Sequence, residues 1–187
     1  RMVQIAERLE IAVASLEFDE TQFPDTTAID AALDGDKSIT HVAVVHCETT
    51  TGILNPVADI ADVVSRHQKS LIVDAMSSFG GIPINLAEAK IDVLISSANK
   101  CLESVPGFSF VITRRELLES ARGNARSVSL DLVDQWEALE KNGQFRFTPP
   151  THAFLAFRQA LVELREEGGV EARNQRYRNN HDALVLG

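Results

Sequence analysis

Cysteine is scarce in this chain of 187 residues: Cys47 and Cys101 stand 54 positions apart and form no Cys-x-x-Cys or Cys-x-x-His pair. A zinc site or a disulfide framework therefore has no sequence support, and a reducing, cytoplasmic setting fits. Long apolar runs are missing too; none approaches the roughly 18 residues needed to cross a bilayer. Positive charge is in deficit. With a net charge of −9 the chain repels a phosphate backbone, so nucleic acid is not an expected partner. Small anions held by local donors stay possible. Phosphate-binding loops of the form GxGxxG or GxxxxGKS/T are absent, as are a GxSxG elbow and an HExxH helix. Internal repeats and linker-like runs are also missing.

The remainder is ordinary for a folded chain: 44% hydrophobic, 24% charged, enough to bury one sizeable core. Met2, Ile5, Ala6 and Leu9 share a helical face over about residues 2–10, and an apolar run, Ile11–Leu16, follows. Because Arg1 already stands inside that helix, with no signal peptide before it, the chain is expected to be a piece of a longer protein. A short helix is expected near Thr27–Leu33, capped by Thr26 or Thr27. Residues 41–47 form an apolar run bounded by polar residues. Asn55-Pro56 reads as an N-cap with proline at the first helical position, ahead of a stripe of Val57, Ile60, Ala61 and Val64, with Ala58 at its margin, that ends near His67. Leu71–Val73, Ile91–Ile95 and Phe108–Ile112 read as buried strands. Helices dominate after Arg114, with a break at residues 148–151, and Trp136 reads as helix packing. Strands separated by helices predict an α/β fold, a mostly parallel sheet with helices on both faces.

In such sheets ligands sit beyond the carboxyl ends of the strands. Those positions hold Glu48-Thr-Thr-Thr-Gly52, Asp74-Ala-Met-Ser-Ser78 and Ser96-Ser-Ala-Asn-Lys100, a rim of hydroxyls, one carboxylate and one amine. Between Ala98, Cys101 and Leu102, Lys100 is placed to be partly desolvated, which favours a neutral amine able to form a Schiff base. Position alone reads it more readily as a surface lysine. A carboxylate behind Leu-Ile-Val is costly without a cation, and the pyridinium nitrogen of pyridoxal phosphate is such a cation. Asp74 reads equally well as a loop-stabilising residue. Thr49, Thr50 and Thr51 suit a phenolic or phosphate oxygen, or simply a polar turn. His41 and His46 read as edge or packed histidines, Cys47 as core, and Cys101 as near the site without an activating base. Arg122, Arg126 and Arg146 could bind anions but are commonly solvated on acidic proteins.

His46-Cys-Glu-Thr-Thr-Thr-Gly-Ile-Leu-Asn-Pro56, Val73-Asp-Ala-Met-Ser-Ser-Phe-Gly-Gly81 and Ile95-Ser-Ser-Ala-Asn-Lys-Cys101 resemble the 2-aminoethylphosphonate–pyruvate aminotransferase family, within the class V, fold-type I pyridoxal-phosphate enzymes. Ser127-Val-Ser-Leu-Asp-Leu132, Asp134-Gln-Trp136 and Arg146-Phe-Thr-Pro-Pro-Thr-His152 extend the resemblance over nearly the whole chain. It implies transfer of an amino group from 2-aminoethylphosphonate to pyruvate, giving phosphonoacetaldehyde and L-alanine in phosphonate breakdown. Lys100 then matches the lysine that carries pyridoxal phosphate and moves protons, and Asp74 the partner of the ring nitrogen. Thr49 matches the contact to the phenolic oxygen, Met76 a side chain against the ring face, and Asn99 a position near the phosphate. Thr148 matches a residue that reaches the phosphate of the other subunit, which implies a homodimer with shared sites. No metal and no membrane partner is implied.

The resemblance further implies truncation at both ends. Residues 1–170 are expected to be the cofactor-binding large domain without its N-terminal part, including a glycine-rich phosphate loop. Residues 171–187 are expected to begin the helix leading to a small domain that bears the arginine for the substrate's acidic group. The fragment alone is then expected to lack turnover. Rival readings are an alanine–glyoxylate or serine–pyruvate donor preference, a non-catalytic dimer-forming remnant, and a cofactor-free lysine lyase.

Overall fold

The computed structural model describes residues 1–187. Its elements, in chain order, are α1 (Met2–Arg8), α2 (Thr26–Gly35), β1 (His41–Val45), α3 (Val57–Arg66), β2 (Ser70–Asp74), β3 (Val93–Ser97), β4 (Ser109–Thr113), α4 (Arg115–Ser120), α5 (Leu132–Asn142), α6 (Thr151–Glu167) and α7 (Gly169–Leu186). The chain divides into two compact units, one of Arg1–Asp19 with Thr113–Pro149 and one of Glu20–Ile112 with Pro150–Gly187. No helix is long and apolar enough to cross a membrane.

The sheet belongs to the second unit, with strand order β1-β2-β3-β4. β1 pairs with β2 and β2 with β3, both parallel, with Val44 opposite Val73 and Val73 opposite Leu94. Side chains alternate across a strand, so Val42, Val44, Leu71, Val73 and Leu94 share one face. That face meets the stripe of α3 (Val57, Ile60, Ala61, Val64) and Ile29 and Leu33 of α2, forming one continuous core. Burying each large side chain of this kind stabilises the fold by about 1.5–3 kcal/mol. Ala98, just past β3, donates to the carbonyl of Phe108, just before β4, at 3.5 Å. β4 therefore starts where β3 ends, the arrangement of an antiparallel return, and the sheet is mostly rather than wholly parallel.

Three local expectations are corrected. The cap of α2 is Asp25, whose carboxylate accepts from both the backbone N–H and the hydroxyl of Thr27, at 2.8 and 2.7 Å. A carboxylate outcompetes the threonine hydroxyls for the first-turn donors. Asn55 does not cap α3; its amide donates to the Val45 carbonyl at 2.9 Å and is buried there, and Pro56 takes the cap position without a side-chain bond. No helix joins β2 to β3. Residues 75–92 cross by successive turns, with Ile84, Leu86 and Ala89 packed on the core in place of a helix face. The apolar run 11–16 lies outside the helices and strands, with Ile11, Val13 and Leu16 exposed.

Rings of α6 pack on the start of β4. Phe108 meets Phe154 and Phe157 edge-on, with centroids 4.6 and 5.3 Å apart. The α6–α7 corner turns on Gly168 at φ +109°, a conformation that costs glycine little. Across it, Glu167 accepts from Arg173 and Arg176 at 2.7 Å each.

Those hydrogen bonds, from Arg176 first and Arg173 next, hold the Glu167 carboxyl down to about 2 from its ordinary 4.5. A carboxyl depressed in the fold binds fewer protons there than in the unfolded chain. Its contribution is therefore complete above pH 4.5 and lost as pH falls toward 2. Glu167→Gln is expected to be less stable than the parent at pH 7 and to lose less between pH 5 and 3. Urea unfolding followed by circular dichroism at those pH values measures both.

In the first unit, α5 is capped by Asp131, which accepts from the Asp134 N–H at 3.1 Å, and ends on Gly143 at φ +70°. Trp136 packs under the Arg115 guanidinium, 5.2 Å from its centroid. The three arginines considered as anion ligands all have protein partners. Arg122 pairs with Glu137, Arg126 donates to the Leu9 carbonyl, and Arg146 binds Asp134 and the Val128 carbonyl.

Candidate active site

The ends of β1, β2 and β3 meet at one rim and are tied to one another. The His46 N–H donates to the Asp74 carbonyl at 2.8 Å, and the Ala75 N–H to that of Ile95 at 2.9 Å. Below the rim, the buried His46 ring is hydrogen-bonded through Nδ1 to the Ser78 hydroxyl at 2.9 Å. Burial pushes the His46 pKa down and favours the neutral ring. The loop after β1 closes on itself through Glu48 and Ile53, with Gly52 at φ +74°, and presents Thr49. The Thr49 hydroxyl lies 3.0 Å from that of Ser77, which joins the first loop to the second.

Close backbone approach joins the second loop to the third. A Cβ on Gly80 would lie 2.5 Å from Leu102 Cδ2, and one on Gly81 would lie 2.7 Å from the Tyr177 ring and 2.9 Å from Cys101 Cβ. Only glycine lets the turn after Asp74 rest on the turn that carries Lys100. The Cys101 thiol donates to the Ser77 carbonyl at 3.3 Å across the same seam. Burial, with smaller contributions from Cys47 and Glu103, raises the Cys101 pKa, so it stays a thiol.

Asp74, half-buried, accepts from the Met76 N–H through Oδ1 at 2.9 Å. That bond fixes the carboxylate and leaves its second oxygen without a partner in the chain. Asp74 is in register with Ile95, so Asp74, Ile95 and Ser97 share the sheet face opposite the core. Ser97 is buried, yet its hydroxyl has no hydrogen-bond partner. A buried hydroxyl left unpaired is costly, so a polar group from outside this chain is its natural complement.

Lys100 caps the third loop. Ala98 and Leu102 turn inward and are buried, whereas Asn99 and Lys100 face outward and are exposed. Lys100 is thus the surface lysine that position alone suggests, and the desolvated alternative does not hold: the flanking apolar residues cover the core, not the amine. The Lys100 amine makes no ion pair or hydrogen bond within the chain. Thr49, Asp74, Met76, Asn99 and Lys100 all belong to this rim. Thr148, exposed, lies in the first unit, just before α6.

The sequence profile of the class V aminotransferases matches residues 1–186. The chain belongs to this family. Among relatives of this class V aminotransferase chain, a 2-aminoethylphosphonate–pyruvate transaminase of Bacteroides fragilis is 58% identical over 188 aligned positions, covering 100% of this chain and 52% of that protein. One of Klebsiella pneumoniae is 54% identical, covering 100% and 51%. The chain thus spans about half the length of the curated relatives it matches. Of solved structures, a ureidoglycine–glyoxylate aminotransferase of Bacillus subtilis superposes with a TM-score of 0.85 at 28% identity, over 98% of this chain and 48% of that one. A pyridoxamine–pyruvate aminotransferase of Mesorhizobium loti superposes with a TM-score of 0.77 at 32% identity, over 86% and 42%. The fold is the fold-type I architecture of these aminotransferases, as the resemblance implies, and the mostly parallel α/β sheet is the one that the strand and helix order predicts.

Proposed function

We propose that this chain supplies the cofactor-binding core of an enzyme that transfers the amino group of 2-aminoethylphosphonate to pyruvate, yielding phosphonoacetaldehyde and L-alanine in phosphonate catabolism. The names of the relatives at 54–58% identity support the substrate pair. One observation carries the chemistry: a carboxylate with a free oxygen and an uncommitted amine stand on adjoining loops of one rim.

These residues fit pyridoxal phosphate. The free Asp74 oxygen suits a protonated ring nitrogen, the Lys100 amine a carbonyl carbon, and the unpaired Ser97 hydroxyl a polar group approaching that sheet face. When bound, the cofactor supplies an electron sink for a carbanion. Asp74, held by the Met76 N–H, keeps negative charge at the ring nitrogen. Lys100, exposed and with its amine uncommitted, would be the residue to hold the cofactor and to move a proton at its own Nζ. Thr49 would face the phenolic oxygen, Met76 the ring, and Asn99 the phosphate. Thr148 reaches the phosphate of the other subunit in a homodimer. Residues 1–170 are the cofactor-binding part and 171–187 lead toward a further domain, in a cytoplasmic enzyme.

In the full-length protein, incubation with 2-aminoethylphosphonate and pyruvate is expected to give phosphonoacetaldehyde and alanine in equal amounts, faster than alanine–glyoxylate or serine–pyruvate exchange. Absence of phosphonoacetaldehyde would refute the substrate assignment.

A further inference from the structure

Arg173, in the first turns of α7, is 2% exposed and is the only Arg, Lys, Asp or Glu side chain that is fully buried. Burying a guanidinium is costly unless all its donors are met. Its donors are met from two directions. Nε and Nη2 grip Glu167 Oε2 at 2.9 and 2.7 Å, which closes the α6–α7 corner. Nη1 reaches 72 residues back along the sequence to the carbonyl of Cys101, at 2.9 Å. A corner pin would need only the first contact.

The second contact is one of a set. Arg173, Asn174, Arg176 and Tyr177 are spaced to share a face of α7. Asn174 donates to the Gly81 carbonyl at 2.9 Å. Arg176 and the Tyr177 hydroxyl donate to Glu103 Oε1 at 2.9 and 2.7 Å, and Arg173 lies 3.5 Å from Glu103 Oε2. Burial opposes ionisation of Glu103, but the Tyr177 and Arg176 hydrogen bonds and the two arginine charges outweigh it and lower its pKa. Every one of these contacts lands on residues 101 and 103 or on Gly81, which rests against Cys101.

Those residues form the turn that carries Lys100. The Glu103 N–H donates to the Lys100 carbonyl at 2.8 Å, and the Ser104 N–H to that of Ala98 at 3.1 Å. Glu103 itself stands at φ +56°, a left-handed conformation that a non-glycine residue keeps only when its surroundings hold it. The turn's own backbone bonds close it around Glu103, and the contacts from α7 grip the same residue from outside. Lys100 sits one residue from the carbonyl that Arg173 grips, with its own side chain uncommitted.

The geometry points to Arg173 as a positioning residue for Lys100: from α7 it fixes the Cys101 carbonyl, and thereby the place from which the Lys100 amine reaches. This rests on the reading of Lys100 as the cofactor-bearing lysine. A reacting group displaced by about 1 Å can lose on the order of 100-fold in rate. Arg173→Lys keeps a positive charge for Glu167 but lacks the planar fork needed to hold Glu167 and Cys101 together.

The test uses the full-length protein, with Arg173→Lys and, as a milder variant outside the buried pair, Tyr177→Phe. On cofactor-free protein, hydrogen exchange of residues 101–104 is expected to accelerate in both variants, while circular dichroism shows the parent's helix content. After loading with pyridoxal phosphate, the visible band of lysine-bound cofactor is expected to weaken in favour of free cofactor. At saturation kcat falls about 10- to 100-fold in Arg173→Lys, with KM changed less than threefold, and by a smaller factor in Tyr177→Phe. If exchange of the turn, the visible band and kcat per folded protein all match the parent, while only melting temperature falls, Arg173 is a corner pin and the inference is overturned. Should the parent itself show no lysine-bound cofactor, the reading of Lys100 fails first, and the exchange result then stands alone as a property of the turn.

Discussion

Replacing Lys100 by alanine in the full-length protein is expected to lower kcat by about 10⁴-fold or more, because in the proposed function one amine both holds the cofactor and moves the proton. No neighbour can substitute. Of the other lysines in the sheet-bearing unit, Lys37 is paired with Asp34, Lys69 donates to the Lys37 carbonyl and Lys90 is paired with Asp62. Lys100 alone stands at the rim with its amine uncommitted. The side chain is exposed, so its loss removes no core packing. Melting temperature should therefore stay within a few degrees of the parent while transamination disappears. The visible band of the covalently held cofactor should vanish as well, leaving the spectrum of free pyridoxal phosphate. Residual activity near the parental level would mean that another amine does the work.

Asp74→Asn is expected to be the second-largest effect, a fall in kcat of about 10²- to 10³-fold, the usual loss when a preorganised electrostatic partner is removed. Asparagine keeps the shape, and its side-chain oxygen can still accept from the Met76 N–H that the carboxylate binds at 2.9 Å. What it lacks is charge opposite the ring nitrogen, so that nitrogen loses its proton more readily and the ring draws electrons less strongly. Cofactor retention should weaken in parallel, measured as the pyridoxal phosphate concentration needed for half-maximal visible absorbance. The comparison with Lys100→Ala is informative. If Asp74→Asn leaves the rate untouched while Lys100→Ala abolishes it, the lysine acts without a ring partner, as in a cofactor-free lyase.

How much of this was legible before the fold depends on the range of each interaction. The strands were readable because buried parallel strands are nearly continuous apolar runs. The expected runs at 71–73 and 91–95 fall on β2 (Ser70–Asp74) and overlap β3 (Val93–Ser97), shifted by one or two residues. The rim followed, since strand ends dictate where loops begin. The cap of α2 falls on Asp25 rather than on Thr26 or Thr27, and Asn55 leaves the cap of α3, because each of these polar residues has several donors or acceptors within reach. The carbonyl that captured the Asn55 amide lies ten residues upstream, on a strand. Residues 75–92 cross between parallel strands without a helix, against the usual rule, because Ile84, Leu86 and Ala89 cover the core from turns. Least legible was the hold of α7 on the lysine turn. Arg173 reads as one more polar residue on a helix, and its bond to Cys101 spans 72 residues with no local trace. The exposure of Lys100 agrees with its position at a strand end, whereas its flanking apolar residues say nothing about which way the turn points.

Asp74 and Lys100 are held to grip one pyridoxal phosphate between adjoining loops of the rim. The most direct measurement is to load the full-length protein with the cofactor, reduce it with borohydride, digest it and locate the added mass by mass spectrometry. The expected result is a single pyridoxyl-phosphate adduct on the peptide containing Lys100, with its yield sharply reduced in Asp74→Asn. An adduct spread over Lys37, Lys69, Lys90 or Lys141, or none on Lys100, would contradict it.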